Sequence, residues 1–238
     1  MAKSRGLGDV YKRQDQNQHR LIRGIFDRLT EFPRDSFYDI SGWTLPFAFG
    51  LKFEALSRRS SNLLGERWDA PSFAASSPQE NAVGYVLDWR GYYAPRALYR
   101  LLHAGVRVRA TTLAMTVDTP NGQINLDPGA LVITPGNNDR GVASNLLPLL
   151  DKIAREDGVV SYAVTQGLTP GGPDLGGASQ IALQKPRIVM MTGSGISVYD
   201  AGELWYLLDH QMETPVTMRD GEDFGSLALH RYTLSLIH

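Results

Sequence analysis

The stretch that most constrains the fold is Lys185 to Asp209. The run Ile188-Val189-Met190-Met191 is apolar and short, bounded by Pro186 and Gly193, and so predicts a buried strand. Thr192-Gly193-Ser194-Gly195 follows as a turn. Asp200, with Glu203 three residues on, has the spacing of a helix N-cap and its capping partner. Leu204, Leu207 and Leu208 then fall on one helical face. A strand, a glycine turn and a helix form the repeating unit of an open α/β sheet, where ligands bind beyond the carboxyl ends of the strands. That spacing points to Gly193–Asp200 as a site without naming a reaction.

The chain upstream repeats the unit. Val83 to Leu87 reads as a strand, with Asp88-Trp89-Arg90-Gly91-Tyr92-Tyr93 as its carboxyl-end loop. Pro95 opens a helix with Leu98, Leu101 and Leu102 on one face, and Gly105 ends it. Val106–Leu113 alternates apolar and polar residues, as a half-exposed strand does. Asp118–Gly122 reads as a turn within a small excursion. Ala130–Ile133 is a further strand, running into Pro135-Gly136-Asn137-Asn138. Ser144 is placed to cap a helix with Leu146, Leu147, Leu150 and Ile153 as its core stripe, closed by Gly158. Val159–Val164 is the next strand, and Thr165–Gln180 a long Gly/Pro loop. Pro215–Met218 adds an edge strand. The alternation predicts an α/β fold: a mostly parallel open sheet of flavodoxin type, with helices on both faces.

Before this domain, Leu21, Ile22, Ile25, Phe26 and Leu29 form a helical stripe that Pro33 terminates. Residues 37–49 are dense in aromatics and broken by Gly42 and Pro46. Such a piece suits packing against a neighbouring domain or acting as a lid. Ser57–Asn81 reads as a linker. The expected divisions are 1–14, 15–80, 81–220 and 221–238.

Composition narrows the function classes. The formal charge of −1 leaves no basic footprint for nucleic acid, and no apolar run is long enough to span a bilayer. The chain contains no Cys, which removes disulfides, thiolate metal ligands and Cys nucleophiles together.

The two ends share an origin. Val10-Tyr11-Lys12-Arg13-Gln14 can be encoded by GTG TAT AAG AGA CAG. The reverse complement translates as Leu-Ser-Leu-Ile-His, the sequence of Leu234–His238. This resembles a transposon-end adapter read in opposite orientations. Residues 1–14 and 234–238 are therefore expected to be scars flanking an internal piece of a longer protein.

Several segments resemble bacterial zinc carboxypeptidase-family proteins. Arg20–Phe26 followed by Phe37-Tyr38-Asp39-Ile40-Ser41-Gly42-Trp43-Thr44-Leu45-Pro46 is similar to the linker after their catalytic domain. Val83–Gly105, Pro135-Gly136, Pro173-Asp174-Leu175-Gly176 and Tyr199-Asp200-Ala201-Gly202-Glu203 resemble the class I glutamine amidotransferase-like domain that follows it. The resemblance implies a zinc-dependent peptidase domain upstream, seated on segment 37–49, and an exported bacterial parent. It implies no cofactor in the present residues.

Candidate chemistry is sparse. His210-Gln211-Met212-Glu213 matches the His-x-x-Glu spacing of a zinc ligand pair. It follows the end of a helix, however, where a His interacting with terminal carbonyls is the ordinary arrangement. An active amidotransferase places a Cys on the turn occupied here by Thr165-Gln166-Gly167, so glutaminase chemistry is excluded. Ser194 lies between glycines but not in a Gly-x-Ser-x-Gly elbow. In a parallel sheet, Asp88, Trp89, Arg90, Tyr92, Asn137, Asn138, Gln166, Ser194, Tyr199 and Glu203 converge at one edge. There they would line a small-molecule or peptide pocket, or else satisfy loop backbones and seat the neighbouring domain. A local ion pair between Asp88 and Arg90 is the simplest alternative for those two.

Overall fold

Gly84–Leu87 (β1) is buried along its whole length, and the rest of its sheet is built outward from it. The computed structural model describes residues 18–26, 46, 49, 51, 54, 73 and 79–236. The chain divides into two compact units, Met1–Pro71 and Ser72–His238. In the first unit, His19–Phe26 forms helix α1, and the Leu51 N–H donates to the Pro46 carbonyl. Leu29, most of the linker Ser57–Asn81 and most of the aromatic segment lie outside the described residues.

In the second unit, β1 leads through Ala94–His103 (α2) to Val108–Thr111 (β2). Met115–Thr119 (β3) and Gly122–Leu126 (β4) form a hairpin whose tight turn carries Pro120 and Asn121. Leu131–Ile133 (β5) is followed by Arg140–Ser144 (α3), Leu146–Asp157 (α4) and Ser161–Val164 (β6). Gln180–Ala182 (β7) closes the series.

These strands form a five-stranded sheet in the order β6-β1-β5-β2-β7, and every pairing in it is antiparallel. The expected parallel arrangement is corrected here. Each strand–helix–strand unit joins two strands that run the same way, β1 with β2 and β5 with β6. The units interleave instead of lying side by side, so each strand's neighbours run against it. Four strands in the order β6-β1-β5-β2, with a helix after β1 and after β5, make the split βαβ arrangement of ferredoxin-like folds. Continuous apolar strands suggested parallel pairing because parallel sheets are covered on both faces. Here the second cover is the hairpin.

Side-chain alternation shows the two covers. Tyr85, Leu87, Leu131 and Ile133 point to α2 and α4, where they meet Ala97, Leu101, Leu146, Leu150 and Ile153. Val86, Val132 and Val164 point the other way, onto Met115, Val117 and Leu126 of the hairpin. Helices thus cover one face of this sheet and a hairpin the other.

Local signals were read with mixed success. Pro95 sits in the first turn of α2, Gly105 follows the helix at φ +81°, and Gly158 ends α4 in the left-handed conformation. Ser144 does not cap α4. It ends α3, and its hydroxyl donates to the Gly141 carbonyl.

The remaining strands form a separate, parallel sheet. Ile188–Thr192 (β8) is its centre, flanked by Val216–Asp220 (β9) and Leu234–Leu236 (β10). Val198–Trp205 (α5) connects β8 to β9 and continues as a π-helical turn over Tyr206–Gln211. That widened turn takes Leu207 and Leu208 off the α-helical face expected for them. Among the described residues the fold is therefore mixed α/β, with a five-stranded antiparallel sheet, the two-stranded antiparallel hairpin and a three-stranded parallel sheet. Leu234–Leu236, set aside as adapter-derived, pairs with Ile188–Met190.

Candidate functional site

The antiparallel sheet separates the residues expected to converge. Asp88, Trp89, Arg90 and Tyr92 follow the carboxyl end of β1, which lies beside the amino end of β5 because Leu87 pairs with Leu131. Asn137, Asn138 and Gln166 follow β5 and β6, at the opposite end of the sheet. Ser194, Tyr199 and Glu203 belong to the parallel sheet. The ten residues fall into three places.

At the first place, the Arg90 guanidinium folds back on Asp88, with Nε to Oδ2 at 2.8 Å and Nη2 to Oδ2 at 2.5 Å. These bonds hold the Asp88 carboxyl below its ordinary range. Arg90 also approaches Asp127 at 3.5 Å, while Trp89 lies against Gly129. Tyr92 meets Tyr93 edge-on at 4.9 Å. The pairing satisfies these charges locally.

At the second place, Asn138 accepts from the Arg107 N–H at 2.7 Å and donates to the Thr134 carbonyl at 3.0 Å. Asn137 belongs to a single 3-10 turn. Gln166 donates to Asp118 of the hairpin. These side chains tie loops to strands.

The third place is the carboxyl end of β8. Gly193 and Gly195 take φ of +90° and +82°, which turns the chain sharply into α5. The cap of α5 is Ser197, not Asp200: its hydroxyl accepts from the Asp200 N–H at 3.4 Å. The cap lies three residues toward the amino end from the expected one, with the Ser197 hydroxyl satisfying the third N–H of the helix. Ser194 is exposed, and no imidazole is hydrogen-bonded to it among the described residues. Tyr199 and Glu203 are exposed on α5.

Beside this turn lies a cavity of about 230 Å³, between α5 and the sheet. Met190, Ile196, Val198, Trp205 and Met218 give it apolar walls, and Gly193 and Gly202 leave it open. Sequence reasoning found the turn but not the cavity. Its signal was small residues at Ala201 and Gly202 on the helix face that covers Met190.

The His210–Glu213 pair does not fit a metal ion. The Glu213 carboxylate is held by both Nε and Nη2 of Arg100, at 3.0 and 2.7 Å, and the His210 ring lies tilted against Tyr206 at 4.9 Å. Among the described residues, no three His, Cys, Asp or Glu side chains are grouped to hold a metal.

The segment carrying Glu213 also joins the two sheets. Arg96 and Arg100, one turn apart on α2, meet Asp157 at the end of α4, with Arg96 Nε to Asp157 Oδ1 at 2.6 Å. Arg96 also donates to the Gln211 carbonyl at 3.3 Å and stacks on Tyr93 at 3.9 Å. Comparison with protein-family models, with curated proteins and with solved structures finds no match for this chain.

Proposed function

We propose that this chain is a non-catalytic accessory region of a zinc carboxypeptidase-family protein whose peptidase domain lies upstream. The resemblance covers residues 81–220; the antiparallel pairing across 84–182 restricts the class I amidotransferase-like reading to the parallel unit from Lys185 onward. The observation that carries it is the parallel β8–α5–β9 unit. With β10 set aside as adapter-derived, β8 and β9 pair in parallel and α5 crosses between them, the repeating unit of an open α/β sheet. The motif Tyr199-Asp200-Ala201-Gly202-Glu203 lies on α5, the crossover helix of this unit. The split βαβ region before it is a separate element. With no Cys in the chain, the amidotransferase nucleophile is missing.

The upstream domain is proposed to seat on segment 37–49. Phe49 and Leu51 are exposed large apolar residues of the first unit, which suits a surface covered by a partner domain. Zinc would belong to that upstream domain, and the parent would be exported.

Recovering the reading frame upstream of Gln16 tests this directly. The expected frame carries His-x-x-Glu and a more distant His. A frame with an unrelated domain, or with a start codon near Asp15, would overturn the reading. The purified chain is also expected to leave glutamine, peptides and esters intact. Turnover that disappears in Ser194→Ala with the fold retained would mark a real hydrolytic site. A second reading, a small-molecule-binding α/β module, is favoured by the cavity beside α5.

A further inference from the structure

We infer that the cavity beside α5 is a binding site for a small aromatic molecule carrying a positively charged amine. The inference deepens the binding-module reading and is independent of what lies upstream.

Size and lining define the apolar part of the ligand. An apolar cavity of about 150 Å³ is enough to take benzene in a protein interior. The space here, about 230 Å³, accommodates a single ring with a short side chain. Its walls include the thioethers of Met190 and Met218 and the indole of Trp205. Sulfur at a ring edge and ring-on-ring contact both favour an aromatic guest over an aliphatic one. The site opens at the carboxyl ends of parallel strands, where open α/β sheets take their ligands.

Charge defines the other end. No Lys, Arg or His lines the cavity. Asp220 lies beside Gly193 at its mouth, so close that a Cβ on Gly193 would be 2.5 Å from Asp220 Oδ2. Asp220 Oδ1 accepts from the Glu222 N–H at 3.0 Å. Among the described residues, Asp220 forms no ion pair. A carboxylate without a cation partner at the mouth of an apolar cavity favours an ammonium group and disfavours an anion.

Gly202 makes the site testable without damaging the fold. A Cβ there would meet nothing within 4 Å, and a larger residue also favours helix over glycine. Gly202→Leu therefore adds a branched side chain at the cavity's lining without a clash of its Cβ, and is expected to occlude the site with the chain folded. Asp220→Asn keeps an acceptor for the Glu222 N–H and removes only the charge.

The experiment is a titration of the full chain with 2-phenylethylamine and with phenylacetate, read by 13C-methyl methionine NMR. Phenylethylamine is expected to shift the Met190 and Met218 methyl signals saturably. Phenylacetate should bind at least about tenfold more weakly, a difference of about 1.4 kcal/mol. Gly202→Leu should abolish the shifts while the melting temperature holds or rises. Asp220→Asn should remove the preference for the amine. No saturable shift, equal binding of the two probes, or shifts that persist in Gly202→Leu would each overturn the proposal. Upstream sequence bears on the carboxypeptidase reading alone, so the two can fail separately.

Discussion

Arg100 and Glu213, 113 residues apart in sequence, form a two-point ion pair, Nε to Oε2 at 3.0 Å and Nη2 to Oε1 at 2.7 Å. It fastens the connection between α5 and β9 to helix α2. The same guanidinium reaches Glu156 at 2.6 Å and Asp157 at 3.4 Å. The two partners should respond unequally to substitution. Arg100→Ala leaves the buried Asp157 side chain with Arg96 alone and removes the partner of Glu156 and Glu213, and is expected to cost about 1.5–3 kcal/mol. Glu213→Gln keeps an acceptor at a half-exposed position and should cost about 1 kcal/mol or less. Urea unfolding of both variants at neutral pH checks the ranking. An Arg100→Ala loss no larger than that of Glu213→Gln would show that the cluster adds little to stability.

The same cluster predicts opposing pH dependences. Burial raises the Asp157 carboxyl above its ordinary 3.8, outweighing the Arg100 and Arg96 charges that lower it. The folded state then holds that proton more tightly than the unfolded chain does. Stability from this group falls as pH rises from about 3.8 through the raised value. Hydrogen bonds from Arg100 hold Glu213 below its ordinary 4.5. Its contribution is complete above 4.5 and is lost as pH falls through the lowered value. Unfolding measured across the acid range should therefore lose its downward limb in Asp157→Asn, and its upward limb, to which Asp88 also contributes, should shrink in Glu213→Gln. A pH profile unchanged by Asp157→Asn would refute the assignment for that residue.

The hairpin offers a test of the three-layer packing. Val117 of β3 is fully buried against Val86, Val132 and Val164. Val117→Ala removes two methyl groups and should cost about 2 kcal/mol, from lost burial plus the space left behind. A change near zero would make the hairpin an appendage and leave the second face of the sheet uncovered.

Element types were legible in the sequence because they depend on local pattern. Gly84–Leu87, the Leu101 face of α2, the Leu150 face of α4 and the Gly158 stop are all written in periodicity and punctuation. Pairing was not. Which strand lies beside β1 depends on how two crossover units interleave, and nothing within 84–87 encodes the direction of a neighbour. That error carried into the site, since ten residues at carboxyl ends share one edge only if the strands are parallel. The Gly193–Gly195 turn survived because its own sheet is parallel. The α5 cap moved to Ser197 because both Ser197 and Asp200 are good capping residues, and the backbone turn at Gly195 decides between them. β7 was hidden in a Gly/Pro loop, where Gln180 is buried and donates to the Asp174 carbonyl at 3.1 Å.

Gly172 and Gly193 separate two ways in which a glycine is required. Both have positive φ, +80° and +90°, so any larger residue is strained at either position. Their surroundings differ. A Cβ on Gly172 would run into the backbone carbonyl of Ala114 and lie 2.8 Å from the Met115 Cα. Neither atom can move without shifting the start of β3, to which this loop is bridged through Thr116 and Gly171. A Cβ on Gly193 would instead meet the Asp220 carboxylate at 2.5 Å, and a side chain can rotate away. Gly193→Ala is therefore expected to cost about 1–2 kcal/mol, mostly backbone strain. Gly172→Ala should cost more, about 3 kcal/mol or above, because the steric term adds to the same strain. Asp220→Ala should recover part of the Gly193→Ala loss and none of the Gly172→Ala loss. Chemical denaturation of the three single variants and the two double variants measures this. Equal losses for the two glycines would mean that the loop carrying Gly172 yields as easily as a surface carboxylate, and that its bridge to β3 does not hold it in place.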